Sequence, residues 1–134
     1  MEVSDLILAD YAAANEGGKF TLVGAGFTKI STKKIPCVHP MMFLLVRLKV
    51  TIADKGKNKV DIKIIGNKGT IFRAECDVDV SDNHKDEEHL PLPIRINNLK
   101  FEHAGDYTID VMINGQSKSS QALTIVQINQ PVGK

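Results

Sequence analysis

Tryptophan is absent from this chain of 134 residues, and only two tyrosines and five phenylalanines are present. The core therefore has to be built from Val, Ile and Leu, which suit a pleated sheet. Cysteine is equally scarce: Cys37 and Cys76 form one possible pair, too few for a disulfide framework or a zinc cage. Cys37 sits in the proline-flanked loop Pro36–Pro40, and Cys76 falls on the apolar side of a strand, as a small buried hydrophobe would. No long apolar run exists; the longest, Met41 to Val46, is strand-sized and far short of a membrane span. The acidic start Met1-Glu2-Val3-Ser4-Asp5 precedes only Leu6-Ile7-Leu8-Ala9, so no signal peptide is expected. These absences read as a cytoplasmic protein, of a bacterial or phage-infected cell.

Catalytic signatures are missing too. There is no nucleophile elbow, no phosphate-binding loop and no carboxylate pair at a telling spacing. Gly24-Ala25-Gly26 is followed by Phe27-Thr28-Lys29 instead of x-x-G and a helix, so it reads as a strand bulge. The histidines His39, His84, His89 and His103 make no ligand pair, with His84 and His89 in a loop. The acidic residues Asp77, Asp79, Asp82, Asp86, Glu87 and Glu88 lack the glycine and terminal glutamate of a calcium loop and read as a solvated face. The expectation is a non-enzymatic chain with no cofactor and no metal.

What is present is alternation. Tyr107, Ile109, Val111 and Ile113 interleave with Thr108, Asp110 and Asn114, so one face is apolar and the other mostly polar, and Asn114-Gly115 then supplies a two-residue hairpin turn with positive φ at both positions. Gly105-Asp106-Tyr107 at the head of that strand has the form of a tyrosine corner, in which the hydroxyl bonds back to the preceding loop. Phe43–Ile52 places Leu44, Val46, Leu48, Val50 and Ile52 on one face. Lys59–Ile65 and Thr70–Val80 form a hairpin, with Arg73, Glu75, Asp77 and Asp79 outward. Leu90–Asn97 carries Pro91 and Pro93 and is predicted at an edge. Val3–Ala12 reads as a strand rather than a short helix, and Lys19–Ile30 and Gln121–Ile128 complete the set. About eight strands at this spacing predict one domain over residues 1–134, an all-β, immunoglobulin-like antiparallel sandwich.

Leu6-Ile7-Leu8-Ala9-Asp10-Tyr11-Ala12, then Gly18-Lys19-Phe20-Thr21-Leu22-Val23-Gly24-Ala25-Gly26, resembles the opening of a bacterial family catalogued only as a domain of unknown function. That family's middle strand and late Gly-x-Tyr strand have counterparts in Leu45–Val50 and Gly105–Gly115. The resemblance implies a sandwich fold and no activity.

Charge is split along the chain. From Lys29 to Lys68 there are ten Lys/Arg and two Asp/Glu; from Gly69 to Asp110 there are four and ten. Two readings follow. In the first, the chain is an interaction module that self-associates or docks a protein partner. Its contact residues are Phe43, Leu45 and Met112, apolar on otherwise polar faces, and Tyr107, Gly105 and Gly115 serve the fold. In the second, Lys29, Lys33, Lys34, Lys55, Lys57 and Lys59 hold an anionic metabolite or nucleotide, in a phage or defence setting. Duplex nucleic acid is not expected at a net charge of +1 with so few aromatics.

Overall fold

A computed structural model describes residues 1–81 and 87–128. Ten strands follow in order: β1 (Glu2–Ala9), β2 (Tyr11–Ala14), β3 (Phe20–Val23), β4 (Lys29–Thr32), β5 (Cys37–Val50), β6 (Gly56–Gly66), β7 (Gly69–Val80), β8 (Glu88–Phe101), β9 (Gly105–Ile113) and β10 (Gln116–Gln127). They form three sheets, ordered β1-β5-β8, β4-β10-β9-β6-β7 and β2-β3, with one sheet curled into a half-barrel. Among the described residues no helix is long and apolar enough to cross a membrane.

One apolar core joins the two larger sheets. Met42, Leu44, Val46, Leu48 and Val50 of β5 face Val60, Ile62 and Ile64 of β6, Ile109, Val111 and Ile113 of β9, and Leu123 and Ile125 of β10. This is the period-2 pattern of the sequence converted into burial. Pro91 and Pro93 lie on β8, which among the described residues pairs only with β5. Residues two apart direct their backbone nitrogens to the same side, so both prolines can face the open edge.

The number of strands departs from about eight because two expected strands break. Val3–Ala12 splits at Asp10, where β1 leaves its sheet and the β2–β3 hairpin begins. Lys19–Ile30 splits at Gly24–Thr28, since Gly24 and Gly26 adopt φ of 59° and 91° and carry the chain to another sheet. Gly24-Ala25-Gly26 is thus a crossing loop and not a bulge. Ile52, expected inward, lies in a single 3-10 turn, because Thr51 and Asp54 cap it and end β5 at Val50. Cys37 is the first residue of β5 and not a loop residue, and both cysteines are free thiols.

The tyrosine corner is present. Tyr107 donates its hydroxyl to the His103 carbonyl at 2.8 Å, and its ring meets Phe101 edge-on at 5.1 Å. Gly66 gives the ring room: a Cβ there would stand 2.7 Å from it. At the other end of β9, Asn114 and Gly115 turn the hairpin with φ of 51° and 83°. The Asn114 Oδ1 accepts from the Lys59 N–H at 2.9 Å, and its Nδ2 donates to Asn58 Oδ1 at 3.0 Å. Buried Asn58 in turn donates to the Asp54 carbonyl at 2.7 Å. Asp54 itself accepts from the Met1 ammonium and from the Thr51 N–H at 2.8 Å. Burial raises the Asp54 pKa, but these bonds, the charge of the ammonium and the Thr51 hydroxyl together outweigh it and hold the carboxyl below its usual value.

Two outcomes are expected. Replacing Tyr107 by Phe should cost about 1–2 kcal/mol in urea unfolding, the value of a partly buried hydroxyl bond. Asp54 has a lowered folded-state pKa, so its contribution is present above the unfolded value and is lost as pH falls through the folded one. The urea midpoint should therefore drop between about pH 5 and pH 2, and less steeply in Asp54→Asn.

Candidate functional site

Sheet pairing dismantles the charge blocks of the sequence. Across β6 and β7, Lys57 stands opposite Asp79 and Lys59 opposite Asp77. Arg73 holds Asp61 through Nε at 3.2 Å and Nη2 at 3.0 Å, while Lys59 Nζ reaches Glu75 at 3.4 Å. The basic and acidic runs are neighbouring strands of one mixed face. Nor do the six lysines converge. Lys29 lies level with Thr124 and Asp106, whereas Lys59 adjoins Val60, level with Ile113. Asp106 and Ile113 are about 23 Å apart along β9 at roughly 3.3 Å per residue. Lys55, Lys57 and Lys59 therefore belong to one end of the molecule and Lys29, Lys33 and Lys34 to the other. No single anion site contains all six.

The second face of β5 is also other than expected. Leu45 is fully buried and Phe43 nearly so, under the chain's own β2–β3 hairpin. Tyr11 meets the Phe43 ring edge-on at 5.3 Å, and Phe20 lies beneath the Arg47 guanidinium at 5.8 Å. Phe43 and Leu45, apolar on this face, signal that something covers it; the sequence could not show that the cover comes from the same chain. Phe43 and Leu45 are internal contacts and are withdrawn as an interface. Met112 is half-buried on the outer face of β9, opposite Asp61 and Ser117. Tyr107, Gly105 and Gly115 hold the turns predicted for them, the glycines with φ of 117° and 83°.

Of the recesses among the described residues, two exceed about 300 Å³. The larger, about 670 Å³, lies where the hairpin tip rests on the start of β8, and Asn15, Gly18, Arg47, Glu87, His89 and Pro91 line it. Gly18 approaches so closely that a Cβ would stand 2.8 Å from the His89 carbonyl oxygen. Arg47 Nη1 donates to Asp5 at 3.0 Å, while its buried Nε has no hydrogen-bond partner among the described residues. Ser4 Oγ is 3.4 Å from His89 Nδ1, and His89 Nε2 is 4.0 Å from Glu87. This looks like a nucleophile and base, but Ser4 donates its proton to the Arg47 carbonyl at 3.1 Å. Lys49 pairs with Glu87 at 3.1 Å as Arg47 does with Asp5, so the groove largely neutralises itself. Sequence reading missed this cluster because Ser4, Arg47 and His89 come from three separate strands. His89, expected in a loop, is on β8; His84, Asp82 and Asp86 lie outside the described residues. Among the described residues no three His, Cys, Asp or Glu side chains are placed to hold a metal.

The second recess, about 360 Å³ and open, lies between the sheets where β1 ends. Asp10, Gly24, Phe27, Lys29, Ile30 and His39 line it. Here β5 outruns its neighbour. β1 pairs with it only as far as Phe43, while Cys37–Met42 pair with β8 alone. The hairpin does not cover this stretch. Tyr11, Val23, Val38, Met41 and, at the same end, Ile128 are each at least 39% exposed, and among the described large apolar residues only Ile52 is comparably exposed elsewhere. Arg95 and Lys100 of β8 flank the patch, opposite Phe43 and Val38, and Lys33 and Lys34 stand exposed in the turn before β5.

Comparison with known proteins yields a family but no activity. The sequence model of a family of unknown function, DUF6941, matches residues 4–126, and the chain belongs to that family. No curated protein matches it. Among solved structures, the alkylpurine DNA glycosylase AlkC of Pseudomonas fluorescens, bound to DNA containing an abasic site analog, aligns at 15% identity with a TM-score of 0.42. The match covers 74% of this chain and 28% of that one.

If the hairpin is the cover of β5, Leu45→Asp should destabilise the fold by about 3 kcal/mol or more, since a charge would replace a buried side chain. Light scattering of the folded fraction should give the same mass as the parent protein. A stable variant of altered mass would instead return Leu45 to an intermolecular contact.

Proposed function

We propose that this DUF6941 member is a non-enzymatic interaction module that docks a protein partner on the uncovered end of its β1-β5-β8 sheet. One observation carries the reading: the β2–β3 hairpin covers the outer face of β5 from Phe43 to Arg47 and stops, leaving Tyr11 and Val23 of the hairpin and Val38 and Met41 of β5 exposed. Clustered apolar side chains cost solubility unless something uses them, and such patches mark interaction sites. The larger groove is a weaker candidate, because its ions are paired internally and its serine hydroxyl donates its hydrogen bond to a backbone carbonyl. An immunoglobulin-like sandwich accords with this role. The tyrosine corner and the antiparallel pairings support that fold, although β4 joins β10 in parallel and departs from the all-antiparallel expectation; it presents binding surfaces on sheets and end loops.

The test is photo-crosslinking in the host cell with a benzophenone amino acid in place of Met41 or Val23, and of Ile52 as the exposed control at the opposite end. Discrete protein adducts are expected from positions 41 and 23 and not from 52. Adducts of twice the chain mass would identify self-association instead, and equal labelling at all three positions would defeat the reading.

A further inference from the structure

We infer that the partner is bound by strand addition: an extended acidic and apolar segment continues the line of β1 along the open edge of β5 at Cys37–Met42. The inference rests on the docking reading above and names its chemistry.

Backbone geometry comes first. β5 is paired on both sides from Phe43 to Lys49, with β1 on one edge and β8 on the other. From Cys37 to Met42 the β8 side continues and the β1 side stops, among the described residues. β1 cannot go further, because Asp10 turns away and donates its N–H to the Val23 carbonyl at 3.0 Å. The Gly26 N–H is spent on the Leu8 carbonyl at 2.8 Å, so the crossing loop lies against β1 and leaves the space beyond it open. That space is the 360 Å³ recess. An unpaired strand edge presents backbone donors and acceptors to any extended segment that fits. Pro40 lacks an N–H and stands in the middle of this edge, which limits pairing to a short segment and protects against indiscriminate edge association.

Side chains set the specificity. In an added strand, alternate residues point to opposite faces. On one face they would meet Phe27 and Ile30 in the recess; on the other, Val38, Met41 and Tyr11. Both call for apolar residues. Around them stand Lys29, Lys33, Lys34, Arg95 and Lys100, against Asp10, Asp106, which is level with Lys29, and Glu102, which pairs with Lys100 at 3.4 Å. The excess is positive, so the segment's remaining positions should be acidic. Half of the lysine set read from the sequence thus gains a use, as the rim of a peptide slot.

A phage-displayed random peptide library panned on the intact protein tests this directly. The expected winners alternate apolar residues with Asp or Glu over a short stretch. A synthetic winner should lose about tenfold or more in affinity for Met41→Asp, as at an interface hot spot. It should also bind more weakly, with a flatter salt dependence, to Lys33→Glu/Lys34→Glu, as rim charges dictate. Both variants alter exposed residues and should melt as the parent does. N-methylation at successive peptide positions then isolates the backbone term: strand addition predicts loss at every second position only. Winners that bind through Met41 with no such periodicity would overturn strand addition and leave surface docking standing. Basic winners, or none, would overturn the inference. Crosslinks from positions 23 and 41 with no acidic winner would confine the failure to it.

Discussion

A single strand with apolar residues on both faces sets the terms for the rest of this molecule. Met42 and Leu44 through Val46 are fully buried, so β5 needs cover above, below and on both edges. The curled sheet packs below, β1 and β8 take the edges, and the short β2–β3 hairpin closes the top. The hairpin exists for that purpose: Tyr11 on Phe43 and Phe20 under Arg47 anchor it to the outer face. Without the hairpin, Leu45 and Phe43 would face water, at about 1.5–3 kcal/mol for each large apolar side chain exposed.

The same constraint explains where the molecule is open. β5 has fourteen residues and β1 eight, so the two cannot finish together. Cover runs out at Phe43, and every feature of the proposed docking surface lies beyond that point. The Gly24–Thr28 crossing loop makes this arrangement possible, since it takes the chain from the hairpin over to β4 and the other sheet. The recess is the gap left by that crossing.

Polar contacts serve order more than function. The Tyr107–His103 bond fixes the loop before β9, and the Asn58–Asn114 pair ties the following hairpin to the turn after β5. Asp54 joins Met1 to the same turn. On the outer face of β6 and β7, Lys59 and Arg73 each pair across the strands and Arg73 also pairs along β7; such surface pairs contribute little each, and their effect is to blend two charge blocks into one mixed surface.

Local rules were enough for much of the fold. Alternation along β5, β6, β7 and β9 reported which residues face the core, because a strand's side chains take sides by geometry alone. Asn114-Gly115 and Gly105-Asp106-Tyr107 declared their turns, since positive φ and a corner tyrosine are local demands. Proline marked β8 as an edge because a missing donor is a local fact. The breaks at Asp10 and Gly24 were not legible, as a strand that changes sheets looks like one that continues. The pairing partner of each strand was beyond reach for the same reason: Lys57 opposite Asp79, Leu45 under its own hairpin, and Ser4 beside His89 depend on register between distant segments. Only the tertiary structure decided which apolar face was already covered and which remained free, because burial is a property of neighbours that a strand cannot name.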